Sequence, residues 1–279
     1  MAPSRNLNST ETTAELYLDL LKQVLTRTGL ESYEMPGPWG WKRKLYLPLK
    51  FVLNRTWGLQ LVKKVDASRR STGSDWPADA ETMVGMERLD NLHQCIREIV
   101  ADDVPGDLIE TGVWRGGASI FMRGALKAYG DTTRKVWVAD SFQGLPKGDG
   151  SRGEKYEGDE LWKFSELAIP LETVQANFAK YRLLDDQVEF LPGFFADTLP
   201  TAPVKHLSLM RLDGDMYDST MVALESLYPK LSVGGYVIID DYGALVECKA
   251  ATEDFRRKHD ITDELIKIDW AGHYWRRSR

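Results

Sequence analysis

Two stretches in the last third constrain this chain most, LSLMRLDGDMYDS at 207–219 and GYVIIDDYG at 235–243. Each is an apolar run of strand length that ends in carboxylates, and packing gives no reason to put aspartates at the tip of a buried strand. Asp213, Asp215, Asp240 and Asp241 therefore read as a built site. Anions converging on one strand edge repel one another, and a bound divalent cation is the simplest way to keep them all ionised.

The same texture runs back to Gly106, where short apolar runs begin to alternate with helical patterns, the signature of a doubly wound α/β sheet. Strands are predicted at 107–111, 136–140, 188–193, 207–213 and 235–241, with helices at 117–130, 170–182, 218–231 and 246–259. The runs LIKIDW (265–270) and HYWRR (273–277) lie close enough to form an antiparallel hairpin at the sheet edge. Upstream, Leu16, Leu20 and Val24 recur at helical spacing within 13–29, and Leu89, Leu92, Cys95, Ile96 and Ile99 mark a helix over 86–100. Residues 1–12 are polar, and the segment from Ser32 to Asp75 has no clean period. The polar stretch 67–85 reads as a mobile connection of the kind that becomes a lid.

At 279 residues and 43% hydrophobic content, one large domain with a decorated terminus is expected. Residues 1–75 form the extension, a lid or subunit contact, and 76–279 the main domain. The net charge of −6 argues against a nucleic-acid partner. The basic clusters at 42–44, 63–64, 69–70 and 276–279 are local and read as solvated faces. Cys95 and Cys248 are too few and too far apart for a disulfide framework or a zinc knuckle, so reduced, buried thiols are expected. No signal peptide opens the chain, and the apolar stretch 45–62 is broken by Pro48, Lys50, Asn54 and Arg55. A cytoplasmic protein is expected. The stretch either lies on a membrane or meets a second subunit; the subunit is favoured, and with it a homodimer or higher homo-oligomer.

The ends of the first three strands carry further chemistry. The first runs into ETGVWRGGAS (110–119): Glu110 stands at its carboxyl end, Gly112 permits the turn, and Gly116 and Gly117 open a helix where backbone approaches a ligand or the sheet. A glutamate replaces the first glycine of the dinucleotide pattern, which welcomes a cationic or amine-bearing ligand and repels a pyrophosphate. Asp140 ends the second strand, placed either to accept from both hydroxyls of a ribose or, with Ser141, to cap the following turn. After the third strand, Gly193 allows close approach, and Phe194 and Phe195 either cover an aromatic base or belong to the core.

From Trp76 to the C-terminus, WPADAETMVG, ETGVWRGGAS, VADSFQGLP, LDGDMYDS and IIDDYG occur in an order that resembles the macrocin O-methyltransferase family. The resemblance implies a class I methyltransferase fold, a Rossmann-like seven-stranded sheet with an antiparallel C-terminal hairpin. It implies S-adenosylmethionine and Mg2+ as cofactors and a small-molecule glycoside as acceptor: a deoxysugar hydroxyl of a glycosylated antibiotic, the noviose 4-hydroxyl of an aminocoumarin foremost. Carried over by residue, Glu110 and Gly112 line the methionine half of the cofactor, with Arg115 and Ser119 near its carboxylate. Asp140 holds the ribose; Thr82 and Met83 lie close by, and Ser141, Gly193, Phe194 and Phe195 complete the set. Asp213, Asp240 and Asp241 are the implied magnesium ligands, and Asp215 the implied base.

The chemistry is consistent with that implication. A sugar hydroxyl is harder to ionise than a phenol, whose pKa is about 10, and a metal that acidifies and orients it supplies what methyl transfer lacks. Catechol-type methyltransferases place a lysine three residues after the first metal ligand; here that position is Met216, and the chain offers Asp215 instead. Asp215 either takes the proton or caps the next helix and orients a water, while Asp218 with Ser219 looks like a helix start. His206 precedes its strand and so lies at the wrong edge of the sheet for a base; His93, His259 and His273 read as structural. The glycine-rich insertion 145–170, with Tyr156, Trp162 and Phe164, is long enough to act as a second lid. Two readings compete with sugar methylation: a phenol-type methyltransferase, disfavoured by Met216, and an NAD-dependent oxidoreductase, disfavoured by Glu110.

Overall fold

A computed structural model describes residues 12–35, 52–53, 55–59, 62–147 and 161–279. Helix α1 (Thr13–Thr26) is capped by the Thr12 hydroxyl, and two short strands, β1 (Tyr33–Glu34) and β2 (Lys63–Lys64), pair antiparallel beyond it. Helix α2 (Ala67–Thr72) and helix α3 (Met86–Ala101) lead into the main sheet. There follow β3 (Asp107–Thr111), α4 (Gly117–Ala128), β4 (Val136–Asp140), α5 (Leu171–Lys180), β5 (Val188–Pro192), a short α6 (Phe195–Thr198), β6 (Leu207–Leu212), α7 (Tyr217–Leu227), β7 (Leu231–Ile239), α8 (Val246–Lys258), β8 (Ile266–Lys267) and β9 (His273–Arg276).

The sheet has seven strands in the order β5-β4-β3-β6-β7-β9-β8. Its first five are parallel, and β9 runs antiparallel to both β7 and β8. This is the expected class I methyltransferase architecture. The strand order reverses between β3 and β6, so a crevice opens at their carboxyl ends, the place where open α/β sheets bind ligands.

Both faces are covered, which is why the strands read as near-continuous apolar runs. Leu108, Leu209 and Ile238 face a core with α1, α3 and α4, through Leu18, Leu25, Leu89, Ile96 and Phe121. Their neighbours Ile109, Met210 and Val237 face the opposite core with α7 and α8, through Leu224, Leu227 and Phe255. The period of two along each strand therefore decides which layer a side chain joins. Leu18, Leu21 and Leu25 of α1 belong to the first core, so the N-terminal helix shares the packing of the main sheet.

Two expectations change. The helix expected over 218–231 stops at Leu227, because Tyr228-Pro229-Lys230 forms a 3-10 turn, and β7 begins at Leu231 instead of Gly235. Proline has no amide to extend the helix, and the Gly234-Gly235 pair lies inside the strand, where its register against β6 shifts. The stretch 67–85, expected as a mobile connection, forms helix α2 and a wall tied down by Arg70. Arg70, 1% exposed, donates to the carbonyls of Met83 at 2.7 Å and Val84 at 2.9 Å and faces Asp75 at 3.0 Å. A buried guanidinium committed to backbone carbonyls and a carboxylate is expensive to release.

Cys95 and Cys248 are buried and unbridged, as expected. Among the described residues, no helix is long and apolar enough to cross a membrane. Residues 1–11 and most of the apolar stretch 45–62 fall outside the described residues, as does the KRK cluster at 42–44.

Candidate active site

A cavity of about 550 Å3 occupies the crevice at the carboxyl ends of the parallel strands. One part of its wall comes from the ends of β3, β4 and β5: Glu110, Gly112, Asp140, Ser141, Phe194 and Phe195. Thr82 and Met83 reach it from the fixed wall. The other part carries Asp213, Asp215, Asp240 and Asp241. The two acidic stretches do meet, as their patterning requires.

Gly112 makes that meeting possible. Its φ of 77° is left-handed, and a Cβ there would lie 1.9 Å from the Asp213 carbonyl oxygen. The Asp213 amide in turn donates to Thr111 O at 2.9 Å, so the ends of β3 and β6 are fastened together. The Gly116-Gly117 corner serves the protein's own packing: the Gly117 amide donates to Glu81 O at 2.9 Å, holding the wall that carries Thr82.

Two arginines organise the carboxylates. Arg211 is opposite Glu110 in the β3–β6 register, and its Nη1 donates to Glu110 Oε1 at 2.6 Å. It also donates to Asp213 Oδ2 at 3.2 Å and, through Nη2, to Asp240 Oδ1. Arg88 enters from α3, donating to Asp240 Oδ2 at 2.5 Å and meeting Asp269 Oδ2 at 3.0 Å. Glu110 Oε2 accepts from Ser119. Burial pushes the Glu110 carboxyl up to about 7, against the pull of Arg211. Asp240 is also pushed up by burial, but Arg211 and Arg88 outweigh it and hold the group below its ordinary value.

At Asp213 and Asp241 the acid-raising influences win. Burial, then the charge of Asp240, raises Asp213 to about 6, and burial with Asp213, Asp215 and Asp240 raises Asp241 well above the ordinary carboxylate range. Oxygens of Asp213, Asp215 and Asp241 lie within 4.8 Å of one another, and Asp241 Oδ2 is buried with no hydrogen-bond partner. An all-oxygen cluster that is costly to ionise, with an orphaned oxygen inside it, fits a hard divalent cation. Asp240, expected as a ligand, has an arginine on each oxygen; one further lone pair on each is left for a cation. Asp215 sits in a left-handed conformation, φ 53°, on the loop into α7. Asp218 lies in the first turn of that helix, as expected.

Several expected cofactor residues also bond within the protein. Asp140 accepts from the amides of Val113 at 2.8 Å and Phe142 at 2.7 Å, and burial raises its carboxyl despite them. It thus caps both loops while lining the cavity. Ser141 donates to Gly144 O at 2.6 Å. Arg115 does not line the cavity: its Nη1 donates to Ala78 O and Ala80 O at 3.0 and 2.9 Å, bracing the fixed wall. Ser119 and Gly193 also lie behind the lining, the first bonded to Glu110 and the second donating its amide to Asp140 O at 2.9 Å.

His206 stands at the entry end of β6, its carbonyl accepting from Asp107, away from the site. His93 meets Tyr129 Oη at 2.6 Å and His259 meets Glu225 at 3.3 Å; both are structural contacts. His273 packs on the Tyr242 ring, centroids 4.5 Å apart. Of the insertion 145–170, the stretch 148–160 with Tyr156 lies outside the described residues, while Leu145, Pro146, Leu161 and Leu167 line the cavity. Sequence reasoning missed Arg88, Arg211, Trp114 and Trp270 as cavity residues. An arginine inside the buried strand β6 was the available signal, since a charge in a strand covered on both faces needs a partner.

The macrocin-O-methyltransferase (TylF) family profile matches residues 14–277. The chain belongs to that family. It is 48% identical over 276 residues to the 8-demethyl-8-(2,3-dimethoxy-alpha-L-rhamnosyl)-tetracenomycin-C 4'-O-methyltransferase of Streptomyces olivaceus, covering 96% of this chain and 94% of that one. It is 55% identical over 214 residues to the demethyldecarbamoylnovobiocin O-methyltransferase of Streptomyces niveus, covering 75% and 80%. The solved structure of the O-methyltransferase NovP superposes with a TM-score of 0.82 at 46% identity, over 95% of this chain and 100% of that one. The protein is therefore an S-adenosylmethionine-dependent O-methyltransferase.

Proposed function

We propose that this enzyme methylates a hydroxyl of a deoxysugar on a glycosylated antibiotic, with Mg2+ at the acidic cluster and the noviose 4-hydroxyl of an aminocoumarin as the foremost acceptor. The names of the relatives support the acceptor class. The observation that carries the metal is the set of Asp213, Asp215 and Asp241 oxygens around the unpartnered Asp241 Oδ2.

Glu110, Asp140, Thr82, Met83, Phe194 and Phe195 line the part of the cavity that would hold the cofactor, with Glu110 facing its amine end and Asp140 its ribose. S-adenosylmethionine, when bound, supplies the methyl group, its S–C bond breaking as the O–C bond forms. Asp213 and Asp241 would hold Mg2+, with Asp240 lending a lone pair left over from its arginine contacts. The cation, when bound, acidifies and orients the acceptor hydroxyls. Asp215 accepts the proton of the attacking hydroxyl, its carboxylate standing beside those of Asp213 and Asp241. Met216, at the position of the lysine in phenol-type enzymes, is the N-cap of α7 and has no proton to move.

Exposed Trp57 and Leu59, on the N-terminal extension, support a homo-oligomer, which light scattering would read directly. The function is tested by assaying demethyldecarbamoylnovobiocin and the dimethoxyrhamnosyl tetracenomycin with and without a chelator. Turnover that survives exhaustive chelation removes the magnesium; inactivity on both glycosides removes the sugar acceptor.

A further inference from the structure

Trp270 is a large aromatic surface in the cavity with no part in the chemistry so far. It stands in the turn between β8 and β9, is 48% exposed and belongs to neither core. A half-exposed tryptophan on a turn is ordinarily free to swing. This one is fixed.

Its Nε1 donates to Thr72 O at 2.9 Å, which ties the indole to the wall at 67–85. Asp269 Oδ1 accepts from the amides of Ala271 at 2.9 Å and Gly272 at 2.7 Å, closing the turn. The turn is also docked on the carboxylate loop: the Gly243 amide donates to Ala271 O at 2.7 Å, and a Cβ at 243 would meet the Trp270 carbonyl oxygen at 2.4 Å. The glycine that follows the Asp240-Asp241 pair is therefore the seat of the tryptophan turn. Arg88 completes the frame, its guanidinium carbon 5.8 Å from the indole centroid while its nitrogens reach Asp240 and Asp269. One guanidinium separates the aromatic ring from the acidic cluster.

A sugar ring presents an apolar C–H face and polar hydroxyls at its edge. A rigid aromatic face beside a cluster of oxygens matches both, because stacking holds the ring while the hydroxyls are directed to the carboxylates. We propose that Trp270 is the acceptor platform: it receives the C–H face of the sugar and thereby selects which hydroxyl is presented to Asp215. The proposal rests on the glycoside acceptor argued above. Pre-fixing the indole through Thr72 and Arg88 removes the ordering cost that a mobile side chain would impose on binding.

The test uses the full-length enzyme with Trp270→Ala and Trp270→Phe, demethyldecarbamoylnovobiocin and the dimethoxyrhamnosyl tetracenomycin as acceptors, and calorimetry with S-adenosylhomocysteine. Loss of the ring is expected to raise acceptor KM about tenfold in Trp270→Ala. Affinity for S-adenosylhomocysteine should stay unchanged, and Trp270→Phe should recover most of the acceptor KM. An unchanged KM in Trp270→Ala overturns the platform alone. An equal loss of S-adenosylhomocysteine affinity assigns the residue to folding and overturns it as well. If the wild-type enzyme turns over neither glycoside, the acceptor reading itself fails and the platform falls with it.

Discussion

Arg211 Nη1 lies 2.6 Å from Glu110 Oε1, and the two residues are direct neighbours on parallel strands. Through its other nitrogen the same guanidinium holds Asp240, so one buried cation neutralises an acid in each part of the cavity wall. Removing it leaves Glu110 without its counterion and Asp240 with Arg88 alone. Arg211→Met should therefore cost about 3–5 kcal/mol in urea unfolding of the free protein. A loss below about 1 kcal/mol would mean that the acids simply take up protons and that the arginine is dispensable.

The close approach of β3 and β6 makes a second position unforgiving. Gly112→Ala would place a methyl 1.9 Å from the Asp213 carbonyl oxygen at a φ that alanine avoids. Backbone on both sides leaves nothing soft to yield, and a loss of about 3 kcal/mol or more is expected, with reduced soluble yield. Circular dichroism melts of wild type and variant give the comparison, and a wild-type melting temperature would show that the strand ends part easily.

What was legible in the sequence follows from local pattern. The strands at 107–111 and 136–140 match the structure to the residue, each with a short apolar centre that ends in a carboxylate-bearing tip before a turn. The carboxylates at strand tips stood out because burial alone cannot explain them. Arg88 was invisible for the opposite reason: an arginine beside Leu89 and Leu92 looks like the wet face of an amphipathic helix. Its commitment to Asp240 spans 152 positions of sequence and exists only once α3 packs on the sheet. Trp270 was hidden at the end of LIKIDW, which reads as a strand, whereas the chain turns there. Arg115 sits within the cofactor motif and also braces backbone carbonyls 35 and 37 positions away, which no local pattern discloses.

Glu110 makes stability depend on pH. Its folded-state value, about 7, is above the ordinary 4.5, so between those values the folded protein binds the proton more tightly than the unfolded chain. This contribution is fully present below pH 4.5 and is lost as pH rises through about 7. His93 and His273 are lowered by burial and push the other way, so the contribution must be isolated by difference. Melting temperatures of wild type minus Glu110→Gln should be largest near the acid end of that window and fall towards neutrality. A flat difference would show that Arg211 keeps Glu110 ionised throughout.

The acidic cluster should respond to metal before any substrate is present. Mg2+ bound to the free protein would relieve the repulsion among Asp213, Asp215 and Asp241, and at a hundredfold excess over its Kd it would stabilise the fold by about 2.7 kcal/mol. Differential scanning fluorimetry with increasing MgCl2 reads this as a rise in Tm, which Asp241→Asn should abolish. An equal rise in wild type and variant would assign the effect to general salt screening.

The proposed role of Asp215 is tested by separating proton removal from binding. It lines the cavity in a left-handed backbone conformation, a strain of the kind that persists where a side chain must be aimed, and it stands beside the carboxylates that raise one another. Asp215→Asn keeps the shape and removes the proton acceptor, so kcat with demethyldecarbamoylnovobiocin should fall by about 10²–10⁴-fold. Affinity for S-adenosylhomocysteine, read by calorimetry, should not change, because the cofactor-facing residues are untouched. Raising the pH should not restore the variant, whereas a bulk-water base would let activity climb with hydroxide concentration. Wild-type kcat in Asp215→Asn would hand the proton to a water or to another carboxylate of the cluster, and Asp215 would then be a metal-orienting or helix-capping residue.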